Sequence, residues 1–109
     1  MPRRPLSSRS RKVAATLGEY LVTFRKLHGL TAEQVADRAG ITRTTLRRLE
    51  HGDPSVGLDV FLEVCRALGI LDFVLMGMNP YETALGQALA QSMHEQKRTL
   101  PERVRRSAP

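Results

Sequence analysis

The 109-residue sequence predicts an all-α fold, on three observations. Apolar residues recur at three- and four-residue spacing along most of the chain, as in Val13, Leu17, Leu21, Phe24 and Leu27. Helix-starting threonines and helix-ending glycines bracket the periodic stretches: Thr31 and Thr42 on one side, Gly29, Gly52 and Gly69 on the other. The length suits one helical core and is too small for an elaborate active site with its scaffold.

The first stripe, Val13 to Leu27, predicts a helix from about Arg11 to His28, ended by Gly29. Thr31 then caps a second helix, with Gln34 three positions on to complete a capping box, and Val35, Ala36 and Ala39 as its inner face. Ala36 lacks bulk where the next helix must cross, and Gly40 supplies the positive φ that a tight inter-helix turn demands. Thr42 caps a third helix, Arg43 to His51, whose Leu46 and Leu49 face inward before Gly52 stops it.

Asp53-Pro54-Ser55 forms the next loop. A fourth helix follows to Leu68, with the stripe Leu58, Phe61, Leu62, Cys65 and Leu68, and a short fifth, from about Leu71 to Met76, adds Leu71, Val74 and Leu75 to the core. After the break at Gly77-Met78, Asn79 as cap, Pro80 in the first turn and Glu82 predict a sixth helix. Its stripe is Tyr81, Ala84, Leu85, Ala88, Leu89 and Met93. That stripe needs a cover, and three are open: its own domain, a dimer partner or another protein.

With Leu46 and Leu49 inward, the third helix turns Arg43, Thr44, Arg47 and Arg48 outward. A solvated charged face is the bland explanation, since exposed arginines are ordinary. A helix, a glycine turn and a second, arginine-bearing helix in succession favour the major groove instead. Arginine matches the guanine O6 and N7 acceptors, and threonine meets the thymine methyl. Arg43 and Thr44, nearest the helix N-terminus, are the base-reading candidates, and Arg47 is a weaker candidate for phosphate.

Residues 17–76 resemble the lambda-repressor-like helix-turn-helix domain of the XRE regulator family, on the segments RKLHGLT, VADRAGITRTTLRRLEHG and PSVGLDVFLEVCRALGI in that order. The resemblance implies that Thr42, Arg43, Thr44, Thr45 and Arg48 contact operator DNA and that Arg25 and Glu50 form an internal salt bridge. One departure is Ala32, where many members carry a DNA-contacting glutamine. Within the family, RRLEHGDPSVGLDVFLEVCRALGILD, the basic start MPRRPLSSRSRK and the ending LPERVRR are most similar to HipB-like antitoxins. That likeness implies a homodimeric repressor of its own operon that neutralises a HipA-like kinase toxin. The alternatives are a stand-alone regulator, or a protein-interaction module in which DNA binding is secondary.

The formal charge of +6 is uneven. Residues 1–12 carry five basic residues and no acid, and residues 94–109 carry five basic and two acidic, so the body between them is slightly acidic. The expected organisation is a flexible basic arm (1–12), a DNA-binding domain (13–76), a partner-contacting helix (77–96) and a flexible basic tail (97–109). Attraction of the first arm to phosphates would raise affinity without specifying sequence. The tail's Leu100 and Val104, with Tyr81, Leu85, Leu89 and Met93 on the sixth helix, are candidate dimer or partner contacts.

The single Cys65 lies on an apolar stripe and reads as a small buried hydrophobe. No run approaches the roughly twenty apolar residues of a membrane span and the start lacks an apolar leader, so the expected setting is the cytoplasm. His28, His51 and His94 stand apart without ligand-spaced partners, and no glycine loop cradles a phosphate. Neither an enzyme nor a cofactor or metal site is expected.

Overall fold

A computed structural model describes residues 4–96. Six helices follow one another: α1 (Ser8–Leu27), α2 (Ala32–Ala39), α3 (Arg43–Glu50), α4 (Leu58–Ala67), α5 (Leu71–Met78) and α6 (Ala84–Glu95). The described residues contain no strand. The chain divides into two compact units, the first ending at Leu71 and the second beginning at Asp72. The boundary between the units falls in the first turn of α5.

Hydroxyl side chains set three starts in the first unit. Ser7 accepts from the Ser10 amide at 3.1 Å. Thr31 accepts from the Gln34 amide at 3.1 Å while the Gln34 side chain accepts from the Thr31 amide at 2.9 Å. Thr42 accepts from the Thr45 amide at 3.1 Å. The Ser7 cap corrects the expected start of α1: residues 8–12, assigned by composition to a flexible arm, are helical because a serine satisfies their leading amides.

In this unit α2 packs on α3 and α4, and α1 packs on α3. The core is Leu21, Val35, Ala36, Ala39, Leu46, Val64, Cys65, Leu68 and Ile70, all buried. Burying each of the larger aliphatic side chains contributes about 1.5 to 3 kcal/mol. The stripe on α1 is covered only in part: Leu21 is 3% exposed, whereas Val13 and Leu17 exceed 40%. Length explains this, because eight residues of α3 extend about 12 Å against about 30 Å for the twenty of α1. On α4, Leu58 is likewise exposed while Cys65 is fully buried, and burial pushes its thiol pKa up.

Two glycines are required by geometry. Gly40 ends α2 with φ 71°, a left-handed turn that a β-carbon would strain. Gly18 lets α1 approach the end of α3: a β-carbon there would lie 2.8 Å from the carbonyl carbon of Glu50 and 2.9 Å from Leu49 O. Polar ties complete the unit. His28 Nε2 lies 2.8 Å from Leu68 O, and Arg66 donates at 2.8 Å to Arg38 O at the negative end of α2.

The second unit holds the remainder of α5 and all of α6. Asn79 does not cap α6. Its side chain accepts from the Tyr81 amide at 2.9 Å, closing a local turn, and the cap passes to Thr83, which accepts from the Gly86 amide at 3.1 Å. The helix thus starts at Ala84 rather than Pro80. Neither α5 nor α6 contains a buried residue, and Leu75, expected in the core, is 71% exposed. No helix among the described residues is long and apolar enough to cross a membrane.

Candidate nucleic-acid interface

Helix α3 presents two chemically opposite faces. Leu46 is 1% exposed and Leu49 is half-buried on the inner side, while Arg43, Thr44, Arg47 and Arg48 are exposed on the outer side. The cap organises the leading end. Thr42 donates its hydroxyl to Thr45 Oγ1 at 2.9 Å, which leaves the half-buried Thr45 with its own hydroxyl proton to offer. Beneath the outer face, Arg25 Nε donates to Glu50 Oε2 at 2.9 Å and Arg25 Nη2 to Glu50 Oε1 at 3.4 Å. Those side chains are only 15% and 11% exposed, so the pair ties α1 to the end of α3 and removes two charges from the outer surface.

The outer residues border two concavities. A cleft of about 440 Å³ is lined by Ala32 of α2, by Arg43, Thr44 and Arg47 of α3, by His51 and by the Arg25–Glu50 pair. Ala32 leaves its α2 side open. A second hollow, of about 370 Å³, is bordered by Thr44, Arg47, Arg48, His51 and Asp53. Among the described residues, the guanidinium groups of Arg43 and Arg47 take part in no ion pair. They are therefore available to an anion or to acceptors on a base edge.

Residues 21–74 match the protein family described as helix-turn-helix. Within them, α2, the left-handed turn at Gly40 and α3 make a helix, a turn and a helix. A protein of Methanothermobacter thermautotrophicus named as an uncharacterized HTH-type transcriptional regulator is 47% identical over 45 residues, a stretch that is 41% of this chain and 65% of that relative. The chain thus spans just under two thirds of the relative's length.

Arg48 is held differently from the other arginines of this helix-turn-helix domain. Its Nε donates to Asp53 Oδ2 at 2.9 Å and its Nη2 to Ser55 Oγ at 2.6 Å, while Asp53 Oδ1 accepts from both the Ser55 amide and hydroxyl. The Ser55 hydroxyl and amide, then Arg48, hold the Asp53 carboxyl down to about 2. Beside this loop, Arg4, Pro5 and Leu6 form a shallow groove with Pro54 and Ser55. The described part of the basic start thus lies against the loop that holds Arg48.

Two features of the domain were not anticipated. His51 borders both concavities and accompanies Thr44 and Arg47 along one helical ridge; its place at positions 44, 47 and 51 is the i, i+3, i+7 signal that would have found it. The Asp53–Ser55 latch on Arg48 has a weaker sequence signal, an acidic residue just after a helix stop. Outside the domain, Tyr81, Leu85 and Leu89 are exposed on the second unit and Met93 is half-buried. Leu100 and Val104 lie outside the described residues. No group of three or more histidine, cysteine, aspartate or glutamate side chains among the described residues is placed to hold a metal ion.

Proposed function

We propose that this chain is a DNA-binding transcription regulator that lays α3 in the major groove of an operator. The observation that carries this is the outer face of α3, where Arg43 and Arg47 stand without an ion-pair partner among the described residues, beside a cleft next to a helix, a glycine turn and a second helix. Arg43 and Thr44, at the leading end, reach base edges, with Thr42 and Thr45 beside them. Arg47 and Arg48 lie nearer the phosphates, as does the described part of the basic start. The printed name of the similar protein, an HTH-type transcriptional regulator, supports the same reading.

One eight-residue helix covers few base pairs, so the regulator acts as a homodimer whose two α3 helices sit about 34 Å apart on a palindrome. The exposed apolar side chains Tyr81, Leu85 and Leu89 supply its second contact surface. Repression follows if the operator overlaps a promoter. An antitoxin that neutralises a HipA-like kinase is a finer form of the proposal, and the basic ends and exposed α6 stripe fit it no better than a stand-alone regulator.

The test is selection of a duplex from a randomised pool with the full chain, followed by binding of Arg43→Ala. Loss of about 1 to 3 kcal/mol of discrimination at one base position is expected. Failure to enrich any sequence, or unchanged preference in the variant, would overturn the assignment of α3 as the reading helix.

A further inference from the structure

We propose that His51 is a phosphate contact of the helix-turn-helix domain that engages in its protonated form, so that DNA affinity rises as the pH falls. The proposal rests on the DNA-binding reading above and adds to it a residue and a dependence on pH. Three observations lead to it.

The first is position. His51 caps the C-terminal end of α3 and borders both the cleft and the hollow on either side of the outer ridge. When a reading helix points its N-terminal residues at base edges, the far end of the helix lies by the sugar-phosphate backbone. A side chain on the outer ridge at that end therefore meets phosphate oxygens rather than bases.

The second is the direction of the ring. His51 Nδ1 lies 2.7 Å from Arg47 O. A carbonyl oxygen only accepts, so Nδ1 carries hydrogen and donates, and the ring's remaining polar atom is Nε2. In the neutral ring Nε2 holds a lone pair, which cannot bond a phosphate oxygen. In the imidazolium, Nε2 becomes a charged donor without any change of rotamer or loss of the Arg47 bond.

The third is the charge around the ring. Arg25 from α1 and Glu50 from α3 border the same cleft and pair with each other, and Arg48 and Asp53 border the hollow and pair with each other. From α2 the neighbour is the uncharged Ala32. Arg43 on the cleft, and Arg47 on both the cleft and the hollow, have no ion-pair partner among the described residues. A phosphate brings a negative charge beyond the two carboxylates already engaged by Arg25 and Arg48, and the complex then favours the imidazolium. Proton uptake and binding are linked.

The experiment measures binding of the full chain to a short mixed-sequence duplex by fluorescence anisotropy over a range of salt, at about pH 8 and about pH 5.5, which bracket the usual imidazole range. For the unaltered chain, the log-log salt slope at the lower pH is expected to be steeper by up to about 0.9, one further phosphate neutralised, with binding severalfold tighter at a fixed salt. His51→Gln, which keeps a neutral hydrogen-bonding side chain, is expected to show one slope at both pH values. His28→Gln is expected to keep the steepening, which separates His51 from the other ring described in the domain. Circular dichroism at both pH values checks that each chain is folded. A slope independent of pH in the unaltered chain, or steepening that survives His51→Gln, would overturn the proposal while leaving DNA binding intact. No binding of mixed or selected duplexes at either pH would overturn the DNA-binding reading itself, and this inference with it.

Discussion

Helices α2 and α6 carry apolar stripes of similar spacing and different outcome. On α2, Val35, Ala36 and Ala39 are 0%, 1% and 5% exposed; on α6, Leu85 and Leu89 are 71% and 58% exposed. The first stripe meets α3 and α4 within its own unit. Periodicity therefore tells which face of a helix is apolar, and says nothing about what covers it. The stability of the first unit should rest on its own contacts, whereas the α6 stripe offers its surface to something else, which in our proposal is a second copy of the chain.

The sharpest way to break this comparison is to remove one half of the Arg25–Glu50 pair. Glu50→Ala strands a guanidinium that is 15% exposed between α1 and α3, and a loss of about 3 to 5 kcal/mol in urea unfolding is expected. Leu46→Ala should cost about 2 to 5 kcal/mol by leaving a cavity in the core. Leu85→Ala, at high dilution, should change stability by no more than about 0.5 kcal/mol. If its cost instead grows with protein concentration, a second copy covers α6; a large cost at every concentration would mean that α6 is covered within the chain.

Gly18→Ala comes next. The added methyl meets the backbone of Leu49 and Glu50, which cannot swing aside as a side chain could. Overpacking of this kind costs about 1 to 3 kcal/mol. A melting temperature equal to that of the unaltered chain would show that α1 and α3 can separate freely, and that the close approach is not needed.

These variants also mark what was legible beforehand. The capping box at Thr31–Gln34, the left-handed Gly40 and the inward Leu46 all depend on interactions within a few residues, and sequence spacing displays such interactions directly. The close approach at Gly18 involves Glu50, more than thirty positions away, and nothing local distinguishes it from any other helical glycine. Val13 and Leu17 share the stripe of Leu21 and are exposed for a related reason: the pattern gives a stripe's direction but not the length of its partner. At the candidate interface the exposed arginines followed from the inward leucines. The latch on Arg48 did not, because it forms only once the loop after α3 folds back on it.

That latch supplies the smallest effect and divides the outer face itself, since Arg43 and Arg47 have no ion-pair partner among the described residues while Arg48 has one. With the carboxyl of Asp53 held down to about 2 in the folded chain, against 3.8 for an ordinary aspartate, the folded state binds its proton less readily than the unfolded state. The resulting stability is present above about pH 3.8 and disappears as the pH falls through about 2. Asp53→Asn should therefore melt slightly below the unaltered chain near neutral pH, with the gap closing over that acid range. An unchanging gap would assign the difference to the geometry of the amide rather than to charge. Near neutral pH the same substitution leaves Arg48 without its counter-charge. Binding to a mixed-sequence duplex should then tighten and its salt slope steepen by less than about 0.9, since Arg48 already offers part of its guanidinium to a phosphate. Weaker binding would carry the opposite lesson, that Asp53 aims Arg48 at the backbone and that the pairing organises the contact instead of competing with it.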